Sequence, residues 1–267
     1  SSLGRPVFAA AMIGLGIFGL VRSDYTAVSR SLSKGFPFLG ALLYMSPFVS
    51  LACGVGLFWR RTAVHGARLL FVYELVWMLL YKVRIIVLYP GIEVAYQNWG
   101  ESAVLVAASW VLYAWFAGDG ERNKLGFAAV ATGDSGVRMA RALYALALIA
   151  FGLSHFAYLE NTASLVPAWL HAPVGWSYFT GAAYLAAALA MLTGVWARLA
   201  AVLSAVQMGG FTLLVWVPLA VSGQMKPSQW NEFVVSGALT AGAWVVADSY
   251  RGRSEEHTSE LQSRHNL

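Results

Sequence analysis

Long apolar stretches alternate with short polar segments along most of the chain. Eight of these stretches have about the 17–25 residues that a helix needs to cross a bilayer. They cover residues 6–22, 38–58, 67–89, 102–118, 138–158, 174–195, 197–220 and 232–249. The pattern therefore predicts an all-α membrane protein with eight transmembrane helices.

The composition supports a bilayer environment and excludes several classes of protein. The chain is 58% hydrophobic and 12% charged, with a mean hydropathy of +0.61, whereas soluble proteins average about 45–50% apolar and about 25% charged residues. The basic residues are scattered between apolar runs, which argues against nucleic-acid binding. A single cysteine, Cys53, excludes disulfides within the chain, cysteine-ligated iron–sulfur clusters and c-type haem attachment.

Basic residues in the loops predict an orientation through the positive-inside rule. With the N-terminus inside, the inner segments hold ten basic residues and the outer segments hold four. The inner residues are Arg5, Arg60, Arg61, Arg68, Arg122, Lys124, Arg138, Arg141, Arg198 and Arg251, and the outer ones are Arg22, Arg30, Lys34 and Lys226. We therefore expect a multi-pass protein with both termini in the cytoplasm.

The last fifteen residues differ from the rest of the chain. From Arg253 they read Arg-Ser-Glu-Glu-His-Thr-Ser-Glu-Leu-Gln-Ser, which resembles the translation of a sequencing-library adapter, and we expect residues 253–267 to be such an artefact. The chain also begins at Ser1 without a methionine, so both natural ends are expected to be cut. Without the two arginines and three glutamates of this segment, the net charge rises from +5 to +6.

An internal repeat divides the chain into two similar halves. Four groups of matching residues recur in order at nearly constant offsets. Phe18-Gly-Leu20 matches Phe151-Gly-Leu153, Tyr44 matches Tyr178, Arg68-Leu69 matches Arg198-Leu199, and Trp99-x-Glu101 matches Trp230-x-Glu232. We predict two tandem four-helix bundles, residues 1–120 and 138–252, joined by a cytoplasmic linker, 121–137. An even number of helices in each unit makes the repeats parallel.

Four short motifs in the second half carry a family resemblance. They are Gly152-Leu-Ser-His155-Phe156, Leu165-Val-Pro-Ala-Trp169, Tyr178-Phe-Thr-Gly181 and Leu192-Thr-Gly194-Val-Trp-Ala-Arg198. Over residues 148–205 the chain resembles the DoxX-like family of four-helix bacterial membrane proteins. The resemblance implies a bacterial inner membrane and, for some family members, a membrane subunit that works with an oxidoreductase and a quinone.

Charged residues inside apolar stretches are candidate functional residues, because charges are costly in a bilayer. Glu74 is placed about 10 Å above the cytoplasmic end of its helix at 1.5 Å per residue, where it could bind a proton or a polar head group, or be a neutral hydrogen-bonded group in the bundle. Lys82 and Arg84 are expected to extend towards the outer head groups. Gln207 is expected to form a hydrogen bond between helices.

His155 and the glutamates of the repeat give further candidates near the outer surface. His155 could transfer protons near neutral pH or bond to a neighbouring helix. Neither a haem nor a metal site is expected, because the sequence offers too few ligands nearby. Glu101 and Glu232 are paired by the repeat, and the patterns Asn98-x-x-Glu101 and Gln229-x-x-Glu232 predict helix capping.

Other polar and aromatic residues are predicted at the same outer face. Asp24 and Glu160 join His155, Glu101 and Glu232 there, and Tyr25, Tyr158, Trp169 and Tyr178 would form aromatic walls. A quinone head group needs an aromatic surface and a group that moves its proton. The same aromatic residues would also fit an ordinary interfacial belt.

Three functional hypotheses follow. The first is the membrane subunit of a redox system, with no intrinsic cofactor, a pocket for a quinone or small lipophile on the outer side, and a soluble oxidoreductase partner. The second is a small-molecule or proton-coupled transporter that uses Glu74. The third is a non-catalytic assembly or lipid-binding protein. No motif of a self-contained enzyme, such as a P-loop, HExxH or GxSxG, occurs in the sequence.

Overall fold

The structure is a computed structural model that describes residues 3–22 and 39–251. Within these residues the chain is helical, and no strand is formed. Helices satisfy every backbone hydrogen bond internally, as the hydrocarbon core of a bilayer requires. Asp24, Tyr25 and the adapter-like segment 253–267 lie outside the described residues.

The described residues form eight long helices. They are α1 (Gly4–Arg22), α2 (Leu39–Phe58), α3 (Arg60–Trp77, continuing through Met78–Val83 to Arg84–Leu88), α4 (Glu93–Phe116), α5 (Gly133–Ala157), α6 (Pro173–Thr193), α7 (Ala197–Phe211, continuing through Thr212–Trp216 to Val217–Val221) and α8 (Pro227–Asp248). Short helices span Asp119–Lys124, Gly126–Ala131 and Leu159–Ser164.

Three segments of these helices are long and apolar enough to cross a membrane. They are Gly4–Val21, Gly133–Ala157 and Ala197–Val221. Each of the eight predicted apolar stretches lies on one of the long helices, but several helices start earlier. α3 starts at Arg60 and α4 at Glu93, because a helix continues into polar residues that an apolar pattern does not include. α5 starts at Gly133, inside the predicted linker.

Each long helix packs against its neighbours in the chain, and α8 packs against α1, so that the helices form a closed ring. α4 and α8 also contact each other across the ring. Residues 100–109 of α4 are all buried, which is typical of a helix surrounded by other helices. At the crossing, a Cβ added to Gly242 of α8 would lie 3.0 Å from a side-chain carbon of Val104 in α4.

Two helices contain a π-helical segment at equivalent places. Met78–Val83 interrupts α3 and Thr212–Trp216 interrupts α7, 134 residues apart in the sequence. A π-helical turn accommodates an extra residue, and such turns are frequent at functional sites. Each segment contains a buried residue in the C-terminal half of its helix, Lys82 in α3 and Trp216 in α7.

A tight turn joins α6 to α7. Gly194 ends α6 with φ of 80°, and Trp196 precedes α7 with φ of 52°. The positive φ at the end of α6 is readily adopted by glycine because it has no Cβ. The motif around Gly194 in the sequence therefore corresponds to a sharp reversal of the chain.

Candidate functional site

A cavity of about 490 Å³ lies where α4 and α8 begin and α5 ends. α6, α7 and the short helix Leu159–Ser164 complete its wall. The residues that line it are Val94, Gln97, Glu101, Phe151, Ser154, His155, Tyr158, Asn161, Thr162, Leu165, Tyr184, Met208, Phe211, Trp216, Glu232, Val235, Ser236 and Leu239. The volume is within the range of small-molecule pockets, about 300–1,000 Å³.

Two carboxyl groups from the central helices face this cavity. Glu101 on α4 is 8% exposed, and it interacts electrostatically with Glu232 on α8. The Gln97 side chain, one helical turn before Glu101, forms a hydrogen bond with it. The cavity lining contains these two carboxyl groups and neither lysine nor arginine, so it favours neutral or positively charged ligand groups.

A buried lysine that is not part of the cavity lining supplies a positive charge close to the carboxyl groups. Lys82 is 2% exposed and interacts electrostatically with Glu101 and with Glu74, which is 5% exposed. The prediction that Lys82 reaches the outer head groups is therefore wrong. In a regular α-helix Lys82 would lie about 80° around the axis from Glu74, and the extra residue in the π-helical segment reduces this angle to about 20°.

His155 lines the cavity from α5. Its Nδ1–H donates a hydrogen bond of 2.8 Å to the carbonyl of Phe151, and its ring is 5.8 Å from that of Tyr184. A close approach of α5 and α6 positions the two rings. A Cβ added to Gly152 would lie 2.9 Å from the carbonyl of Gly181, and one added to Gly181 would lie 2.9 Å from Cβ of His155.

Aromatic side chains form much of the apolar wall. Phe151 and Tyr184 pack with ring centroids 6.0 Å apart, and Phe211 and Trp216 pack edge-on at 6.3 Å. Gln207 holds this side together. Its amide donates to the carbonyl of Thr180 on α6 at 3.2 Å, and its side chain hydrogen-bonds Tyr184. The prediction that Gln207 connects two helices is confirmed.

The cavity brings together four of the residues singled out in the sequence. Glu101, His155, Tyr158 and Glu232 all line it. Glu74 is not part of the lining and interacts electrostatically with Lys82. The remaining candidates within the described residues, Glu160, Trp169 and Tyr178, are exposed and are not part of the lining. Asp24 and Tyr25 are among the residues that the structure does not describe.

The capping role predicted for the two glutamates is wrong. α4 begins at Glu93, so Asn98 and Glu101 lie inside the helix. α8 begins at Pro227, and the oxygen of the Gln229 side chain accepts a hydrogen bond of 2.8 Å from the Lys226 backbone N–H. Because both helices extend beyond their apolar cores, the glutamates lie at least one turn from the helix ends and are available to the cavity.

Several lining residues were missed in the sequence because nothing local distinguishes them. Tyr184, Phe211 and Trp216 lie inside apolar stretches, where aromatic residues are common. Trp216 also needs the π-helical segment to turn towards the cavity. Gln97 could have been noticed, because it lies four residues before Glu101, and residues at this spacing face each other on a helix.

Among the described residues, no three His, Cys, Asp or Glu side chains converge as a metal site would require. No protein-family model, curated protein or solved structure matches the chain. A functional assignment consequently depends on the cavity and its surroundings.

Proposed function

We propose that the chain is a multi-pass membrane protein with eight transmembrane helices, arranged as two tandem four-helix units. The helix contacts support this arrangement. α4, the last helix of the first unit (α1–α4), packs on α5, the first helix of the second unit (α5–α8). In the same way α8, the last helix of the second unit, packs on α1, the first helix of the first unit. The two contacts are therefore equivalent. The contact of α4 with α8 would lie on the axis that relates the units. The two π-helical segments also lie in equivalent helices, because α3 and α7 are the third helices of their units.

A second contact recurs between the first two helices of each unit. A Cβ on Gly16 would meet Leu51 and the carbonyl of Pro47 at 2.7 Å. A Cβ on Gly152 would meet Leu185 at 2.8 Å and the carbonyl of Gly181 at 2.9 Å. The partner residues on the second helices are 134 positions apart in both cases, as are the starts of the π-helical segments. The glycines themselves are 136 positions apart, so the contact recurs with the first helix shifted by three residues from the match of Gly19 with Gly152. These equivalences support a duplication.

The function that the geometry supports best is the binding of a quinone or a similar small lipophile, as the membrane subunit of a redox system. One observation carries the proposal: a single cavity combines Glu101, Glu232 and His155 with a wall of aromatic rings. A flat apolar ring can stack against such a wall, while imidazole and carboxyl groups can bind its polar edge and exchange protons with it. The DoxX-like motifs, which include His155, favour the same function.

The surroundings of this site follow from the proposed orientation. Basic loop residues favour a cytoplasmic location for both termini in a bacterial inner membrane, and the cavity then opens at the outer side. Within the described residues no cluster of three His, Cys, Asp or Glu side chains occurs. In the proposed function, electrons are exchanged with a soluble oxidoreductase subunit. Quinone is the cofactor that the cavity would supply to that partner.

The proposal is tested by direct binding. Purified full-length protein in nanodiscs is titrated with decyl-substituted dimethoxymethyl-1,4-benzoquinone while tryptophan fluorescence is recorded, since Trp216 lines the cavity. Solvent extracts of the same preparation are analysed for co-purified quinone. We expect saturable quenching at micromolar concentration. His155→Phe should weaken binding about tenfold, because it removes a polar contact worth about 1–1.5 kcal/mol.

The exposed His65 of α3 provides the matched control. His65→Phe makes the same chemical change away from the cavity, so its binding curve should match the parent. If the parent protein neither carries extractable quinone nor shows saturable quenching, the proposed ligand is wrong. Equal losses in the two histidine variants would place binding outside the cavity.

A second candidate function, proton-coupled transport, is favoured by the burial of Glu74 and Lys82. These groups link α3 to Glu101 and so to the cavity, and buried ionisable groups in membrane proteins often form proton relays. Transport by this route predicts a charge movement when proteoliposomes on a solid-supported membrane receive a pulse of the same quinone. Glu74→Gln should abolish the signal and Glu160→Gln should preserve it. Binding without any charge movement would exclude the transporter.

A further inference from the structure

Two hydroxyl groups of the cavity lining, those of Ser154 and Thr162, donate their hydrogens to the protein. The Ser154 hydroxyl donates to the Glu93 carboxylate and can alternatively donate to the carbonyl of Ala150, 2.9 Å away. The Thr162 hydroxyl has the carbonyls of Tyr158 and Leu159 as acceptors, each at 3.1 Å. Each hydroxyl has a single hydrogen. Towards the cavity these two residues therefore present oxygen lone pairs.

His155 presents an acceptor as well. The carbonyl of Phe151 can only accept a hydrogen bond, so the 2.8 Å contact fixes the proton on Nδ1. In the neutral ring the other nitrogen, Nε2, then carries a lone pair. Because Nδ1 is held against the backbone of its own helix, Nε2 lies on the ring edge that points away from that backbone. His155 is part of the cavity lining, and Nε2 is the ring nitrogen that its own backbone does not engage.

The carboxyl groups add further acceptors. The charge of Lys82 lies within electrostatic range of Glu101, and a buried ammonium group needs such a counter-charge. A carboxyl group keeps at least one acceptor oxygen whether it is protonated or ionised. Since Lys82 already supplies the balancing positive charge, a ligand that donates hydrogen bonds to Glu101 can itself be neutral.

The lining also carries N–H donors on Gln97, Asn161 and Trp216. From the acceptors on Ser154, Thr162, His155 and Glu101 we propose that the cavity selects a neutral aromatic ligand that donates hydrogen bonds, and that a quinone is bound in its reduced, diphenol form. The inference rests on the proposed function and names the form of the ligand. One phenolic hydroxyl donates to Nε2 of His155 and the other donates towards Glu101. The oxidised quinone has only carbonyl acceptors, so it leaves these protein acceptors unmatched, and unmatched buried polar groups weaken binding.

The test compares three ligands that share one ring. Full-length protein in nanodiscs is titrated calorimetrically, without oxygen, with 2,3,5-trimethylhydroquinone, its 1,4-dimethyl ether and trimethyl-1,4-benzoquinone. We expect the diphenol to bind at least tenfold more tightly than either of the others. The ether lacks donors but is larger, whereas the quinone lacks donors and is no larger, so the pair separates loss of hydrogen bonds from steric exclusion.

Two variants connect the preference to His155. His155→Phe removes the acceptor and should reduce diphenol affinity about tenfold with little change for the ether. His155→Gln keeps an acceptor oxygen and should retain part of the preference, and it guards against a folding defect in the first variant. His65→Phe should behave like the parent protein.

The outcomes separate this inference from the proposed function. If the three ligands bind equally, or the quinone binds most tightly, the inference that the cavity prefers a hydrogen-bond donor is wrong. The proposed binding of a small lipophile is then still supported. If none of the three binds and the decyl-substituted quinone also fails to bind, the proposed function is wrong and the inference falls with it. A preference that persists in both His155→Phe and His155→Gln overturns the assignment to His155.

Discussion

Three buried ionisable side chains decide the chemistry at the level of single residues. Glu74, Lys82 and Glu101 are each less than one-tenth exposed, and charges are tolerated in such a place when an opposite charge is close. Lys82 lies within electrostatic range of both carboxyl groups. Removal of the lysine would therefore leave two acidic groups in an apolar environment without their counter-charge.

Lys82→Met should destabilise the protein by about 3–5 kcal/mol, the usual consequence of removing one partner from a buried charge pair. The unfolding temperature of purified protein in detergent, followed by intrinsic fluorescence, provides the measurement. The double variant Lys82→Met with Glu101→Gln should recover part of the loss, because one uncompensated carboxylate is then replaced by a neutral amide.

Arg84 serves as the control for this prediction. It lies two residues after Lys82 and is exposed, so Arg84→Met should change stability by about 0.5 kcal/mol or less. If Lys82→Met and Arg84→Met have the same small effect, Lys82 does not balance the buried carboxyl groups.

At the level of the helix, the π-helical segments determine which residues face the interior. Glu74 and Lys82 are eight residues apart, and so are Met208 and Trp216 of the equivalent helix α7. Both members of each pair are buried. This spacing would place the second residue about 80° away from the first in a regular α-helix. The additional residue in each π-helical turn brings the two onto one face.

Deletion of Leu80 from α3 should be tolerated. Leu80 is an exposed residue within the π-helical segment, and its removal lets the segment become a regular α-helical turn without rotating Lys82. Deletion of Leu69, equally exposed but in the regular α-helical part, rotates every later residue of the helix by about 100°. We expect monodisperse protein from the first deletion and aggregation from the second, measured by size-exclusion chromatography. Failure of both deletions alike would contradict a special role for the π-helical turn.

At the level of the whole molecule, the cavity depends on the ring of helices and on the central pair. α4 and α8 bring Glu101 and Glu232 together across the centre, while α5, α6 and α7 contribute His155 and the aromatic wall. The two ends of the ring join where α8 packs on α1. The backbone N–H of Gly4 in α1 donates a hydrogen bond of 3.1 Å to the Asp248 carboxylate of α8. No single helix or helical hairpin contains the cavity.

The proposed membrane topology predicts which loops can be labelled from outside. In a Cys53→Ala background, single cysteines replace three exposed residues: Asn123 between α4 and α5, Ser164 between α5 and α6, and Gln224 between α7 and α8. A membrane-impermeant maleimide applied to intact spheroplasts should label Ser164→Cys and Gln224→Cys. Asn123→Cys should react only after the membrane is permeabilised. Labelling of all three from outside would rule out the proposed eight-span topology.

The sequence by itself determined that the chain is helical and where the helices lie. Apolar stretches of membrane-spanning length leave few alternatives to helices, and each of the eight stretches lies on a long helix. The ends were less accurate, as for α3 and α4, because polar residues continue a helix without continuing its apolar pattern. The sequence also identified Glu101, Glu232, His155 and Tyr158 by their charge, their repetition or their motif.

Only the tertiary structure decided how these residues are used. Lys82 was expected near the head groups, since a sequence gives a regular helical period and cannot show a π-helical turn that rotates the side chain inward. Glu101 and Glu232 were assigned to helix caps, although both lie inside longer helices. Tyr184 and Trp216 were not distinguished from other apolar residues. The cavity is the space left between five long helices and the short helix Leu159–Ser164. Its shape therefore depends on packing between residues far apart in the chain.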